Sequence, residues 1–236
     1  MEKRDQIYEG KAKIVYNTDD PDLVIQYFKD DATAFNAAKK GTVANKGIIN
    51  NKISTKVFEF LAKEGIPTHF EKRLSDREML IKRVEIVPVE VIIRNRAAGS
   101  LCRIFGLEEG MKLDSTVLEF CYKRDDLNDP LMNEYHIQAL NLASKEEIET
   151  IKKYTFKINE LMTRFFASLK LELIDFKLEF GRYKGEIILA DEISPDTCRL
   201  WEVGTGRKLD KDRFRHDLGN IEEAYQEVLS RVEKLV

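Results

Sequence analysis

Between Ile174 and Phe180 the chain alternates apolar and charged side chains, with Ile174, Phe176, Leu178 and Phe180 on one side and Asp175, Lys177 and Glu179 on the other. Successive side chains of a strand point to opposite faces, so this spacing predicts a strand with one apolar face and one ionic face. Residues 181–185, glycine at both ends, are expected to turn the chain, and 186–192 to return as a second strand that brings Asp191 and Glu192 back toward the first. Runs at 6–9, 13–16 and 23–28, separated by Gly10 and by Thr18-Asp19-Asp20-Pro21, predict an antiparallel sheet at the amino terminus. Further strands are expected at 66–72, 78–84 and 87–94, with Arg83-Val84-Glu85-Ile86 as a hinge.

Elsewhere the period lengthens to that of a helix. Ile48, Ile49, Ile53, Val57, Phe58 and Leu61 predict a helix over 45–64, ended by Gly65. Ser144 and Glu147 read as a capping box for a helix reaching residue 170, with a stripe from Ile148 to Leu169 that is on the order of 40 Å long. A last helix starts near Asn220, again with a glutamate three residues on at Glu223, and buries Tyr225, Val228 and Val232. Sheet first, long helices later and an ionic hairpin between them predict an α+β fold of two lobes, 1–84 and 85–236, around a cleft.

Composition narrows the function. At 236 residues, with 43% apolar and 34% charged side chains, the chain has the make-up of an ordinary globular protein. A net charge of -3 argues against a general nucleic-acid binder. No apolar run approaches the about 20 residues of a spanning helix, and the first ten residues are charged, so no membrane partner and a cytoplasmic location are expected. Cys102, Cys121 and Cys198, like His69, His136 and His216, are too scattered for a zinc site or a disulfide frame, and reduced, mostly buried thiols are expected.

Four segments carry candidate chemistry. Carboxylates converging beside Lys177 are the arrangement that holds Mg²⁺ against nucleotide phosphates. A solvated strand face with cross-strand ion pairs has the same spacing, and spacing alone leaves both readings open. Lys11 and Lys13 flank Ala12 beside Gly10, where ammonium groups and close backbone approach suit phosphate, although a solvated hairpin tip reads the same way and no GxxxxGK[ST] spacing is present. In IVPVEVIIRNRAAGS, residues 86–100, Arg94 and Arg96 lead into a small-residue turn ending at Gly99 and Ser100, a receptor for a phosphate monoester. The competing reading is an Arg to Glu ion pair at a strand end. Glu90 is expensive to bury there unless paired or ligated. Asp196 and Arg199 follow Ser194-Pro195, a stiffened loop suited to a further phosphate contact.

IVPVEVIIRNRAAGS and LIDFKLEFG resemble the two signature segments of the phosphoribosylaminoimidazole-succinocarboxamide synthase, or SAICAR synthetase, family. YEGKAK, NNK at 50–52, MNE at 132–134, DEISPD and DKDRFR occur in the family's order, so the resemblance spans essentially the whole chain. It implies an ATP-dependent ligase that joins L-aspartate to carboxyaminoimidazole ribotide (CAIR) through an acyl phosphate, with Mg²⁺. On the same basis Lys11, Ala12 and Lys13 resemble the loop over the ATP phosphates, and Val15, Lys82, Val84, Ile86 and Lys123 the rest of a nucleotide site. Glu179 and Asp191 resemble the Mg²⁺ carboxylates, and Lys177 the catalytic charge between ATP and CAIR. Arg94, Ser100 and Arg199 resemble the CAIR phosphate receptor, Glu90, Asp175 and Asp196 the groups around its imidazole and ribose, and Lys211 and Arg215 are candidates for aspartate. The short length resembles the bacterial form, which implies a homodimer. Asn36-Ala37-Ala38 and Cys198 fall in expected loops that match no fixed family pattern. Two other classes fit the residues alone: a phosphotransferase for another small substrate, although HRD and DFG segments are absent, and a nucleotide sensor without turnover.

Overall fold

The short alternating runs of the amino terminus pair as a meander. In the computed structural model, which describes residues 1–34 and 39–235, β1 (Gln6–Glu9), β2 (Lys13–Asn17) and β3 (Leu23–Phe28) are successive antiparallel neighbours. A separate ladder follows, β4 (Asp31–Ala34) on β5 (Lys39–Thr42). Asn36-Ala37-Ala38 lies outside the described residues. After α1 (Lys46–Lys63), strands β6 (Phe70–Arg73) and β7 (Glu78–Lys82) complete a five-stranded sheet in the order β1-β2-β3-β7-β6. Ile49, Ile53, Val57 and Leu61 of α1 are buried in the core. Gly65, at φ 82, donates its amide to Ala62 and Ile66 donates to Leu61, the closing pattern that a left-handed glycine permits.

The second sheet is built around one long strand. β8 (Glu85–Arg96), α2 (Ser100–Phe105), β9 (Lys112–Tyr122), β10 (Leu131–Met132), α3 (Glu134–Ala139) and α4 (Lys145–Ser168) lead to β11 (Leu171–Tyr183) and β12 (Glu186–Ala190). The order is β10-β9-β8-β11-β12, with β13 (Cys198–Glu202) also pairing β11. α4 packs along β11 with Ile151, Ile158, Leu161 and Phe165 inward. α5 (Asp212–Arg215) precedes α6 (Ile221–Val232), which returns to pack on α1. No described helix is long and apolar enough to cross a membrane.

Several boundaries differ from the sequence reading, each for a local reason. The expected strand 66–72 shortens to β6 because residues 67–69 pair with the other sheet: Leu189 donates to the Pro67 carbonyl at 2.9 Å and accepts from the His69 amide at 2.8 Å. Glu85 and Ile86 already belong to β8, so the expected hinge contracts to Arg83-Val84. The turn expected over 181–185 is only Lys184-Gly185, at φ 50 and 86, because two left-handed residues match the twist of the flanking strands. Cys198 lies in β13 opposite Phe176 rather than in a loop. Asn220 stands at φ 48 without a side-chain cap bond, so no capping box opens α6.

The box at α4 does form. Ser144 Oγ accepts from the Glu147 amide at 3.2 Å, and Glu147 Oε2 accepts from the Ser144 amide at 2.8 Å. Ser144→Ala is expected to lower stability by about 1 kcal/mol in urea unfolding; an unchanged midpoint would contradict it. Gly181 is a packing glycine inside β11, since a Cβ there would lie 2.6 Å from Val84 Cγ2. Gly181→Ala is therefore expected to cost about 1–3 kcal/mol and to displace Val84; a thermal midpoint equal to that of the parent protein would show that the junction yields freely.

Candidate active site

Strand β11 projects Asp175, Lys177 and Glu179 from one face, and that face opens into a cavity of about 770 Å³. Apart from Arg96, the cavity collects the charged residues singled out from the sequence. β2 and the tip before it contribute Lys11, Ala12, Lys13 and Val15; the passage between the sheets contributes Lys82, Val84 and Ile86; β8 contributes Glu90 and Arg94. Ser100, Lys123, Asp191, Asp196, Lys211 and Arg215 line it from loops and short helices, and Arg199 from β13. The ionic face is not solvated: Asp175 is 3% and Glu179 4% exposed.

One end of the cavity is a lysine and carboxylate centre. Glu179 stands opposite Glu90 in the ladder, a like-charge pair that would repel. Lys177 lies across both, donating to Glu90 at 2.6 Å and to Glu179 at 2.7 Å, while Lys123 donates to Glu179 at 2.9 Å. Lys13 bonds Asp191 and sits 3.0 Å from Glu192. Burial opposes the charge on Lys177, but Glu179, Glu90 and Asp191 outweigh it and hold the ammonium pKa well above the ordinary lysine value. Burial and Asp191 work against ionised Glu179, yet Lys177, Lys123 and Lys13 together keep its pKa below the usual glutamate value. Burial likewise opposes ionised Asp191, and Lys13 and Lys177 hold its pKa well below the ordinary value.

This donor set suits a hard divalent ion. Among the described residues no three His, Cys, Asp or Glu side chains form a metal cage. Mg²⁺ needs only one or two carboxylates when phosphates complete its shell, so Glu179 and Asp191 fit that role. Asp191 sits at φ 63, a conformation that costs a non-glycine residue roughly 1 kcal/mol or more. Beside it His69 is 1% exposed, with burial holding its pKa at about 3, so the imidazole is neutral. The sequence reading passed over His69 because a lone histidine offers no spacing signal.

The other end is an arginine centre. Arg94 is 1% exposed and donates to Glu119 Oε2 at 2.7 Å, Asp175 Oδ2 at 2.8 Å and Ser100 Oγ at 2.7 Å. Arg199, from β13, meets the same Asp175 oxygen at 2.8 Å and Asp212 Oδ2 at 2.8 Å. The Arg to Glu pairing weighed from the sequence is therefore present, and Arg94 lines the cavity as well. Gly99, at φ 55, makes room for Arg199, whose Nη2 would lie 2.4 Å from a Cβ there. Arg96 points elsewhere, to Glu172 at 2.6 Å. Val15, Val24, Ile81, Val84 and Ile86 line the same cavity with apolar side chains. Lys82 is tied to the Thr68 carbonyl at 3.0 Å, and Lys11 reaches Asp125 at 2.7 Å. Burial lowers the pKa of Lys211 despite Asp196, 3.9 Å away, and Arg215 is held by Asp212 at 2.6 Å.

A family model described as SAICAR synthetase matches residues 6–232. A phosphoribosylaminoimidazole-succinocarboxamide synthase of Thermoanaerobacter sp. is 62% identical over 98% of this chain and 99% of its own length. One from Caldanaerobacter subterraneus is 60% identical over the full length of both. The crystal structure of the corresponding synthase from Ehrlichia chaffeensis superposes with a TM-score of 0.96 at 45% identity, covering 98% of this chain and 100% of that one. A SAICAR synthetase solved in complex with ADP matches at a TM-score of 0.92 and 45% identity, covering 95% of this chain and 96% of the other.

Proposed function

This chain belongs to the SAICAR synthetase family, ligases of purine biosynthesis, and from that premise we propose that it joins L-aspartate to the carboxylate of CAIR, giving SAICAR while ATP is split to ADP and phosphate. The observation that carries the reading is the order of side chains on β11. Asp175 belongs to the arginine centre, Glu179 to the lysine and carboxylate centre, and Lys177 stands between them. Asp175 and Glu179 are on the order of 13 Å apart along an extended strand, a span that suits the phosphate end of a ribotide at one side and a nucleoside triphosphate at the other. The ADP complex of a relative supports nucleotide binding in this fold.

In this reading residues 1–84 cover the nucleotide and 85–236 hold CAIR and the metal. Val15, Val84 and Ile86 pack against the adenine, while Lys11, Lys13, Lys123 and backbone groups of Ala12 meet the phosphates. Arg94, Ser100 and Arg199 receive the CAIR phosphate, and Glu90, Asp175 and Asp196 surround its ring and ribose. Mg²⁺ bound by Glu179 and Asp191 would neutralise charge on the nucleotide phosphates. A carboxylate is a poor acyl donor, so the CAIR carboxylate first takes the γ-phosphoryl group of ATP, releasing ADP. The aspartate amine then attacks the acyl carbon and expels phosphate, with Lys211 and Arg215 offsetting the charge of the incoming dicarboxylate. In the ligand-free protein Lys177 is an ammonium, because its carboxylate neighbours outweigh burial and hold its pKa high. It thus contributes a fixed charge to the transferring phosphoryl group, not a proton.

Incubating the protein with ATP, Mg²⁺ and CAIR, with and without aspartate, tests the reading. Amide product equal to the ADP released, and dependent on aspartate, is the expected result. A stable phosphorylated product without amide would assign the site to a phosphotransferase, and nucleotide binding without turnover to a sensor.

A further inference from the structure

The loop from Glu192 to Thr197 connects β12 to β13, and it separates two parts of the site: Asp191 precedes it and Arg199 follows it. Its centre is Asp196, whose side chain is 4% exposed and lines the cavity. Both of its carboxylate oxygens are already engaged by groups from opposite ends of the chain. Lys46, in the first turn of α1 and 1% exposed, donates to Asp196 Oδ2 at 2.6 Å. Tyr225, in α6 and fully buried, donates its hydroxyl to Oδ1 at 2.6 Å. Helix α1 holds the loop a second time, eight residues beyond Lys46, where Ser54 Oγ donates to the Ile193 carbonyl at 3.0 Å. Inside the loop, Ser194 Oγ accepts from the Asp196 amide at 3.1 Å and donates to Glu192 at 2.7 Å.

A buried lysine and a buried tyrosine are costly for a helix pair that apolar packing alone would hold together. Neither belongs to the phosphate or carboxylate centres. Their common effect is to fix one carboxylate in one orientation. Each carboxylate oxygen has capacity for a second donor, so Asp196 held in this way still presents acceptor positions to the cavity.

We propose that Lys46 and Tyr225 are positioning residues that clamp Asp196, so that its carboxylate accepts a hydrogen bond from the ribotide substrate and the 191–199 segment keeps Asp191 and Arg199 in register. The inference rests on the functional reading above and adds two residues that nothing in the sequence pattern marked. It makes the packing of α6 on α1 a condition for ribotide recognition rather than for nucleotide binding.

Lys46→Met strips a buried carboxylate of its nearest counter-charge, leaving Lys211 at 3.9 Å, and is expected to weaken folding. Tyr225→Phe is the discriminating variant, because it keeps the ring and removes one donor. Calorimetric titration of parent and variant with CAIR, and separately with ADP and Mg²⁺, reads the effect. Tyr225→Phe is expected to weaken CAIR about tenfold while ADP changes less than about twofold. Lys46→Arg, which keeps a charged donor, is expected to retain CAIR binding better than Lys46→Met. Equal CAIR affinity in parent and Tyr225→Phe, an equal loss for both ligands, or no CAIR binding by the parent would overturn the clamp. Failure of the functional reading appears separately, as the absence of amide product from the parent protein when CAIR binds normally.

Discussion

Lys177→Ala is expected to reduce amide formation by at least about 10²–10³-fold, the scale of losing one preorganised charge at a reacting centre. ADP affinity should change only a few-fold, because a charge placed between two reactants contributes most where negative charge develops during transfer. In the ligand-free protein the substitution removes the group shared by Glu90 and Glu179, which face each other across the β8–β11 ladder. Some loss of stability is therefore expected as well. Lys177→Arg separates the two effects: it restores a cation and much of the stability, but a planar guanidinium does not reproduce a compact ammonium at that point. Single-turnover product formation, measured beside nucleotide affinity, checks the prediction. Unchanged turnover in Lys177→Ala would remove this residue from the mechanism.

Arg94→Ala is expected to abolish measurable CAIR binding and to lower stability by about 3 kcal/mol, because it leaves the half-buried Glu119 without its partner and the buried Asp175 with Arg199 alone. A variant so destabilised answers the binding question poorly. Arg94→Lys is the sharper form of the test: charge is kept and the fork that reaches Glu119, Asp175 and Ser100 together is lost. CAIR affinity should fall about 10–100-fold in that variant, with nucleotide affinity held within a few-fold. Equal losses for CAIR and nucleotide would contradict separate anion centres at the two ends of the cavity.

The ionic hairpin was legible from the sequence because its period of two is unbroken from Ile174 to Phe180, and one face of a strand admits few alternatives. Helix α4 was legible for a similar reason, with a reciprocal cap at its start and a continuous apolar stripe. Residues 66–69 were not, since a strand-like string does not state which sheet it joins, and Leu189 lies far along the chain. The residues proposed from motifs converge on one cavity. Lys46 and Tyr225 stayed invisible because each sits inside a helical pattern where a lysine reads as solvent-facing and a tyrosine as core. Their partner is at Asp196, 150 and 29 residues away respectively, and only the folded chain supplies that pairing.

All three thiols of the protein are unpaired, and two of them, Cys121 and Cys198, are buried. Burial pushes the Cys121 thiol up to about 12 and raises that of Cys198 further, so both stay protonated at neutral pH and resist alkylation, which proceeds through the thiolate. Cys102, in α2 two residues beyond Ser100, is the least buried of the three. Burial and Glu109 raise the Cys102 thiol too, so its greater exposure decides the order, and a maleimide dye used under mild conditions is expected to attach there first, beside the arginine centre.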